Sequence, residues 1–221
     1  MPVLGVDGWR GAWVGALLDG RSVSLLALPD AAAVLAVPDV DLVAIDMPIG
    51  LSEDGVRACD VEARRLLVGA GSSVFPAPLR PVLACADYRT ACEVSRAASG
   101  KALSVQAWNL VPAIRSLDDA LGDPPTDRVV EVHPELAFRA LEPGVRDRKG
   151  SARGTVQRLR ALRAVMQVEA ALADAPAGTP MVDALDACAA AWSAQRLADG
   201  RGECVGDGRT DTRGRPMRIS W

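Results

Sequence analysis

Four aspartates in apolar surroundings are the residues of this chain best suited to do chemistry. Asp7 ends a short apolar run and Asp46 ends another, whereas Asp183 and Asp186 stand three residues apart among alanines. On a helix, that spacing places both side chains on one face. Several buried carboxylates repel one another, so a shared cation is the natural resolution. Mg²⁺ and Mn²⁺ prefer such oxygen ligands, and two ions ~4 Å apart can activate water for phosphodiester cleavage.

Each of these aspartates also has a structural explanation. Asp7 precedes a glycine and can be a turn residue, and Asp46 precedes Met-Pro and can simply terminate a strand. Asp183 lies near a predicted helix N-terminus, where the helix dipole favours any acid. Asp186 is harder to explain in this way, because it lies further into the helix beside the alanines. The four residues together favour a metal site more strongly than any one of them.

The elements that must position these acids follow from the hydrophobic pattern. Apolar runs predict five strands, at residues 3–7, 12–18, 23–28, 40–46 and 128–133. Asp19-Gly20 predicts a tight hairpin between the second and third of them. Among the predicted helices, a long one covers 154–173 and the last one covers about 179–199. This order is typical of an α/β protein whose mixed sheet begins with a hairpin.

The composition is that of a globular protein with a single domain. The 221 residues are 49% apolar and 24% charged, and their formal net charge is −3 with a pI near 5.3. This balance excludes a protein that coats nucleic acid by bulk charge, although a local basic patch remains open.

Cysteine usage and the lack of a targeting segment predict a cytoplasmic protein that does not associate with membranes. The five cysteines form no CxxC pair and the chain has one histidine, so a zinc site is not expected. No apolar stretch approaches the ~18–20 residues that cross a membrane, and the chain does not start like a signal peptide. The cysteines are expected to be small core residues in a reducing compartment.

Three further residues are candidates to support the carboxylates. Glu131 and His133 stand two apart on a predicted strand and therefore face one side, and Glu135 follows a proline turn. In the functional interpretation, Glu131 or Glu135 is a metal ligand and His133 is a proton shuttle or substrate contact. The alternative is a hydrogen-bonded strand histidine with two solvated acids.

Basic and amide side chains are the candidates for substrate binding. Lys101 and Gln106 lie at a predicted helix start, which can bind an anion or simply be capped. Lys149 and Arg153 belong to segment 146–163, which has seven basic residues and one acid. This segment either grips a phosphate backbone or forms a solvated helix face.

Seven short motifs follow one another along the chain: GVDGWRGAWV at 5–14, DMPIG at 46–50, CDVEAR at 59–64, SSVFPAP at 72–78, LSVQA at 103–107, EVHPE at 131–135 and DALDA at 183–187. Together they resemble a bacterial family of unknown function whose members are described as predicted ribonuclease-H-like nucleases. The similarity spans nearly the whole chain. One departure is the Gly-Ala-Gly run at 69–71, where a more basic stretch is expected of the family.

The resemblance implies a ribonuclease-H-like fold, with a mixed five-stranded sheet, an antiparallel three-stranded start and flanking helices. It implies one domain over 1–221, with a helical insertion at about 52–125. In the related Holliday-junction resolvases, one acid ends the first strand, one ends the fourth, and two lie three apart on the last helix. Asp7, Asp46, Asp183 and Asp186 match that arrangement by position.

The leading functional prediction is a metal-dependent nuclease or other phosphodiester hydrolase. The four aspartates would hold Mg²⁺ or Mn²⁺, nucleic acid would be the substrate, and a homodimer is expected because dimers are common among structure-selective nucleases of this fold. One alternative is a non-catalytic nucleic-acid or protein binding module on the same fold. Another is a nucleotide-binding phosphotransferase, although 221 residues leave room for only one of its two domains.

Overall fold

A computed structural model describes residues 1–9, 11–123 and 126–221. These residues divide into two compact units. The first comprises Met1–Met47, Asp127–Cys204 and Ser220–Trp221, and the second comprises Pro48–Thr126 and Val205–Ile219. The insertion expected at 52–125 falls in the second unit, with its residues 124 and 125 outside the described ones. None of the described helices is long and apolar enough to cross a membrane.

The first unit is built on a mixed sheet of five strands, which confirms the α/β class and the antiparallel start. The strands are β1 (Val3–Trp9), β2 (Ala12–Asp19), β3 (Ser22–Leu28), β4 (Val43–Ile45) and β5 (Val129–Glu131). Their order in the sheet is β3-β2-β1-β4-β5, in which β3 and β1 are antiparallel to β2, and β1, β4 and β5 are parallel. Gly20 at φ +59° makes the tight turn into β3 that the sequence predicts.

Eight α-helices accompany the strands in the described residues. Those of the first unit flank the sheet and are α1 (Ala31–Leu35), α5 (Pro134–Leu141), α6 (Ala152–Arg163), α7 (Val168–Ala173) and α8 (Met181–Ala198). The second unit contains α2 (Ala58–Leu66), α3 (Tyr88–Ser99) and α4 (Val105–Leu121). Two short strands, β6 (Cys204–Val205) and β7 (Ile219–Ser220), pair in a separate small sheet.

Two predicted elements are shorter in the structure. β5 ends at Glu131 rather than at residue 133, because His133 is the N-cap of α5 and Pro134 begins that helix. The long helix predicted over 154–173 is two helices, α6 and α7, which are separated by residues 164–167. Arg21 occupies this break, since its guanidinium donates to the carbonyls of Arg163 and Ala164 at 3.1 and 2.7 Å.

The second unit is held together by buried ion pairs. Arg57 and Asp60 of the α2 start lie 2.6 Å apart with almost no exposed side-chain surface, and Asp60 also accepts from the amide of Ala77. Arg215 is paired with Asp118 and is itself 1% exposed. Each of these charges has an opposite partner, so we assign the pairs a structural role.

Candidate functional site

Strand pairing brings Asp7 and Asp46 side by side at one edge of the sheet. β1 and β4 are parallel with Val6 opposite Ile45, so the next residues, Asp7 and Asp46, are neighbours. Asp46 directly follows β4, whereas β1 continues two residues past Asp7 to Trp9, because residues 7–9 still pair with β2. The end of the first strand predicted at Asp7 is therefore wrong. The amide of Asp46 donates to the carbonyl of Val6 at 2.9 Å, which continues this pairing past β4. Oδ1 of Asp7 accepts from the amide of Gly8 at 2.8 Å. The site therefore starts from two adjacent carboxylates.

Helix α8 brings the third and fourth aspartates to the same edge. Asp183 lies in its first turn and is partly exposed, whereas Asp186 lies one turn later and is 1% exposed. The negative charges of Asp186 and Asp183 both raise the pKa of Asp7, although burial raises it most. All four sequence-predicted aspartates thus meet in one cluster, with Asp183 at its margin.

A glycine permits α8 to approach the sheet this closely. A Cβ on Gly5 of β1 would lie 2.0 Å from the amide nitrogen of Ala191 and 2.2 Å from the carbonyl oxygen of Ala187, both on α8. Backbone atoms cannot move aside as a flexible side chain can, and α8 presents alanines along this contact. Close packing of glycine against alanine therefore sets the distance from Asp186 to the strand acids.

Gly5→Ala is accordingly expected to destabilise the protein by about 2 kcal/mol, because the added methyl must push α8 away from β1. Chemical denaturation followed by circular dichroism measures the change. Gly55→Ala is the matched control, since a Cβ there meets nothing within 4 Å. Equal stability of the two variants would mean that this helix–sheet contact does not constrain the cluster.

Burial and mutual repulsion make the cluster reluctant to ionise. Burial raises the pKa of Asp46 to about 6, and the charge of Glu135 adds to this rise. Burial likewise raises the pKa of Asp186 to about 6, with repulsion from Asp46 and Glu135. The pKa of Asp7 is raised well above its usual range by burial and then by the charges of Asp46 and Asp186. At neutral pH the folded state therefore contains negative charge that it disfavours.

One ammonium group offsets part of this charge. The Nζ atom of Lys149 donates to Oδ2 of Asp186 at 2.7 Å, and its charge lowers the pKa of Asp7, Asp46 and Asp186. Burial lowers the pKa of Lys149, but the nearby charges of Asp186, Asp46 and Asp7 raise it by more than burial lowers it, so the pKa lies above its ordinary value. Lys149 therefore carries a positive charge at neutral pH, directly beside the acids.

The three supporting residues take different places. Glu131 is buried at the end of β5, opposite Ile45. His133 uses Nδ1 to accept from the amide of Glu135 at 3.2 Å, so its neutral ring carries the proton on Nε2. Glu135 is buried and forms a 2.6 Å ion pair with Arg158. The guanidinium of Arg158 offsets the charge of Glu135 only in part, because the charge of Glu135 still raises the pKa of Asp46 and Asp186.

The other three predicted substrate-binding residues, Arg153, Lys101 and Gln106, have different surroundings from Lys149. Arg153 is 84% exposed and faces Asp147 at 3.6 Å. Lys101 and Gln106 are exposed residues of the second unit, around the start of α4, where Ser104 caps the helix by accepting from the amide of Ala107. Of the four predicted residues, the structure gives Lys149 a direct hydrogen bond to an aspartate of the cluster.

Sequence reasoning missed the importance of Arg158. It is 3% exposed, it pairs with Glu135, and its guanidinium lies 5.3 Å above the ring of Phe138. A signal was present, because residues 154, 158, 161 and 162 form a buried stripe at helical spacing in α6. A basic residue inside such a stripe predicts a buried partner of opposite charge.

The donor set of the cluster suits a hard divalent cation. Asp7, Asp46 and Asp186 supply carboxylate oxygens, and Oδ1 of the buried Asp186 has no hydrogen-bond partner in the described part of the chain. A buried, unpartnered carboxylate oxygen is unfavourable unless a cation or a proton donor reaches it. Over residues 1–9, 11–123 and 126–221, no group of three or more His, Cys, Asp or Glu side chains is arranged so that it could hold a metal ion, so the carboxylates would have to close around a bound ion.

Fold and site together define an α/β protein with a largely buried carboxylate cluster toward the carboxyl ends of two parallel strands. The chain belongs to the family described as Protein of unknown function (DUF429), whose model matches residues 5–211. This match confirms the expected membership in a family of unknown function. Comparisons with curated proteins and with solved structures found no match.

Proposed function

We propose that this protein is a metal-dependent phosphodiester hydrolase acting on nucleic acid. The observation that carries the proposal is the group formed by Asp7, Asp46 and Asp186, in which one buried oxygen of Asp186 has no hydrogen-bond partner among the described residues. Asp7 and Asp46 repel it and each other, and the Lys149 ammonium offsets only one of the three charges. A divalent cation would complete this balance.

We further propose that the fold is ribonuclease-H-like. The sheet order β3-β2-β1-β4-β5, with three antiparallel strands followed by parallel ones, agrees with the fold that the motifs imply. Asp7 lies near the carboxyl end of β1, Asp46 directly follows β4, and Asp183 and Asp186 lie three residues apart on α8. This agreement in both topology and acid placement supports the proposal.

In this proposal, Mg²⁺ or Mn²⁺ is held by Asp7, Asp46 and Asp186, with Asp183 completing the site. The metal supplies an activated water and stabilises developing charge on the phosphate. The chain itself contributes orientation and positive charge. Lys149 donates a hydrogen bond to Asp186, and its ammonium would offset negative charge on a phosphate bound at the acids.

The adjacent supporting residues have distinct proposed roles. His133 stays a candidate proton shuttle or substrate contact, and its Nδ1 accepts from the amide of Glu135 in its own helix. Glu135 acts by positioning, because Arg158 occupies one of its oxygens. Glu131 stays a candidate ligand at the end of β5.

A nucleic-acid substrate is favoured by the charge of segment 146–163. Arg146, Arg148, Arg153, Arg160 and Arg163 are all exposed there, next to Lys149 in the chain. In an acidic protein, this local excess of arginine is the feature best suited to contact a phosphate backbone.

The test is a cleavage screen with chelator-treated protein. Labelled single-stranded DNA, duplex DNA, RNA, an RNA–DNA hybrid and a four-way junction are incubated with Mn²⁺, with Mg²⁺ or with EDTA. We expect cleavage of at least one substrate in the presence of metal and none in EDTA. Metal-independent retardation in a gel without cleavage would instead support the binding module. ATP hydrolysis without cleavage would support the phosphotransferase.

A further inference from the structure

Lys149 is presented to the cluster by a loop that is fastened to helix α6. The hydroxyl of Thr155 donates to the carbonyl of Lys149 at 3.1 Å. Arg158 donates to the carbonyl of Asp147 at 2.9 Å, and Oε1 of Gln157 accepts from the amide of Asp147 at 3.1 Å. Three side chains of α6, those of Thr155, Gln157 and Arg158, thus bind the backbone of residues 147–149.

The contact between this loop and α6 is built for close approach. A Cβ on Gly154 would lie 2.0 Å from the carbonyl oxygen of Arg148, so the first turn of α6 accepts the loop only with a glycine there. Arg158 is in turn fixed by Glu135 and by the ring of Phe138. An exposed lysine ordinarily has several rotamers and a mobile backbone, whereas here the backbone is constrained. The placement of Lys149 is therefore a property of the fold.

The two oxygens of Asp186 are used differently. Oδ2 accepts from Nζ of Lys149 at 2.7 Å, whereas Oδ1 is buried and has no partner among the residues that the structure describes. The side chain of Asp186 is 1% exposed, and that of Lys149 is 48% exposed. The ammonium of Lys149 thus occupies one cation position, at Oδ2 of Asp186, and Oδ1 offers a second position to a bound cation.

We propose that Lys149 takes the place of one cation, so that the cluster binds a single divalent ion with the ammonium as its second positive charge. This inference rests on the proposed metal-dependent function and specifies its stoichiometry. Asp7, Asp46 and Asp186 carry three negative charges, which one divalent ion and one ammonium balance; Asp183 is partly exposed at the margin, where solvent screens its charge. A second divalent ion at Oδ2 of Asp186 would have to displace the ammonium that occupies it.

The test measures Mn²⁺ binding alone, by titration calorimetry and by the electron paramagnetic resonance signal of free Mn²⁺. The wild type is expected to bind one Mn²⁺ per chain. Lys149→Met keeps the length of the side chain and removes its charge, so we expect Mn²⁺ affinity to rise roughly tenfold or more as the competing ammonium is lost. Lys149→Arg keeps the charge and is expected to bind Mn²⁺ as the wild type does.

Arg148→Met is the matched control for metal binding. It removes the same charge from the neighbouring position, where the side chain is exposed, and should leave the affinity for Mn²⁺ unchanged. Two ions bound by the wild type, or equal binding by wild type and Lys149→Met, would overturn the inference while leaving the metal-dependent function in place. If neither protein binds Mn²⁺, the proposed function fails and the inference with it.

Discussion

Asp7→Asn is expected to lower metal-dependent hydrolysis by about a thousandfold or more, because it removes a carboxylate that interacts with Asp46, Asp186, Lys149 and Asp183. The asparagine side chain has the same shape, and its carbonyl oxygen can still accept from the amide of Gly8. The fold should therefore persist while the site loses an anionic ligand. Initial rates on the best substrate from the screen, at saturating Mn²⁺, measure the effect.

Two further aspartate variants make the result specific. Asp183→Asn is expected to cause a smaller loss, since Asp183 lies at the margin of the cluster and contributes least to the repulsion felt by Asp7. Asp41→Asn removes a charge from an exposed position in the same unit and should retain full activity. Near-normal hydrolysis by Asp7→Asn, with the fold verified by circular dichroism, would rule out the carboxylate mechanism.

Asp46→Asn is expected to stabilise the metal-free protein at neutral pH by about 3 kcal/mol. The pKa of Asp46 is about 6 in the folded state, against an ordinary value of 3.8, so the folded form holds its proton more tightly than the unfolded form. Stability from this group is present below pH 4 and is lost as the pH rises through 6. A pKa shift of about two units corresponds to about 3 kcal/mol of folding free energy. The wild type loses this stability when Asp46 ionises, whereas asparagine does not ionise and keeps it.

The measurement is the free energy of unfolding of both proteins between pH 4 and pH 8, with EDTA. Their difference should be small at pH 4, should grow through pH 6 and should level off above it. Taking the difference removes the titration of acids that do not interact with Asp46, whereas relief of Asp7 and Asp186, whose pKa the charge of Asp46 raises, adds to the stabilisation of the variant. Saturating Mn²⁺ should then reverse the order, because the wild type gains about 4 kcal/mol at a metal concentration about a thousand times its Kd. A wild type that is more stable than Asp46→Asn at pH 7.5 in EDTA would contradict the strained cluster.

Local patterns in the sequence were sufficient for the sheet and for the position of the acids along it. The strands of the first unit are short apolar runs bounded by turn residues, and that pattern depends only on neighbouring residues. Asp46 could be placed directly after a strand because the hydrophobic run stops there, whereas β1 continues to Trp9, because pairing with β2 extends past the apolar run. The spacing of Asp183 and Asp186 likewise required only the helical period.

Predictions failed where a distant residue intervenes. The helix predicted over 154–173 is divided because Arg21, more than 140 residues earlier in the chain, bonds to the carbonyls of Arg163 and Ala164. The amide of Gln167 donates back to the carbonyl of Arg21 at 2.8 Å, outside any helix. Helical propensity alone cannot reveal a partner of this kind, because tertiary contacts override it.

The sequence by itself determined the α/β class, the family of unknown function and four aspartates with the spacing of a metal site. Only the tertiary structure decided which basic residue joins them. Lys149 and Arg153 are equivalent by composition, yet Lys149 bonds to Asp186 and Arg153 faces Asp147. The same holds for Glu135, which the structure pairs with Arg158. Ion pairs between residues far apart in the chain form through packing. Charge and spacing in the sequence therefore identify candidate residues but do not show which of them pair with each other.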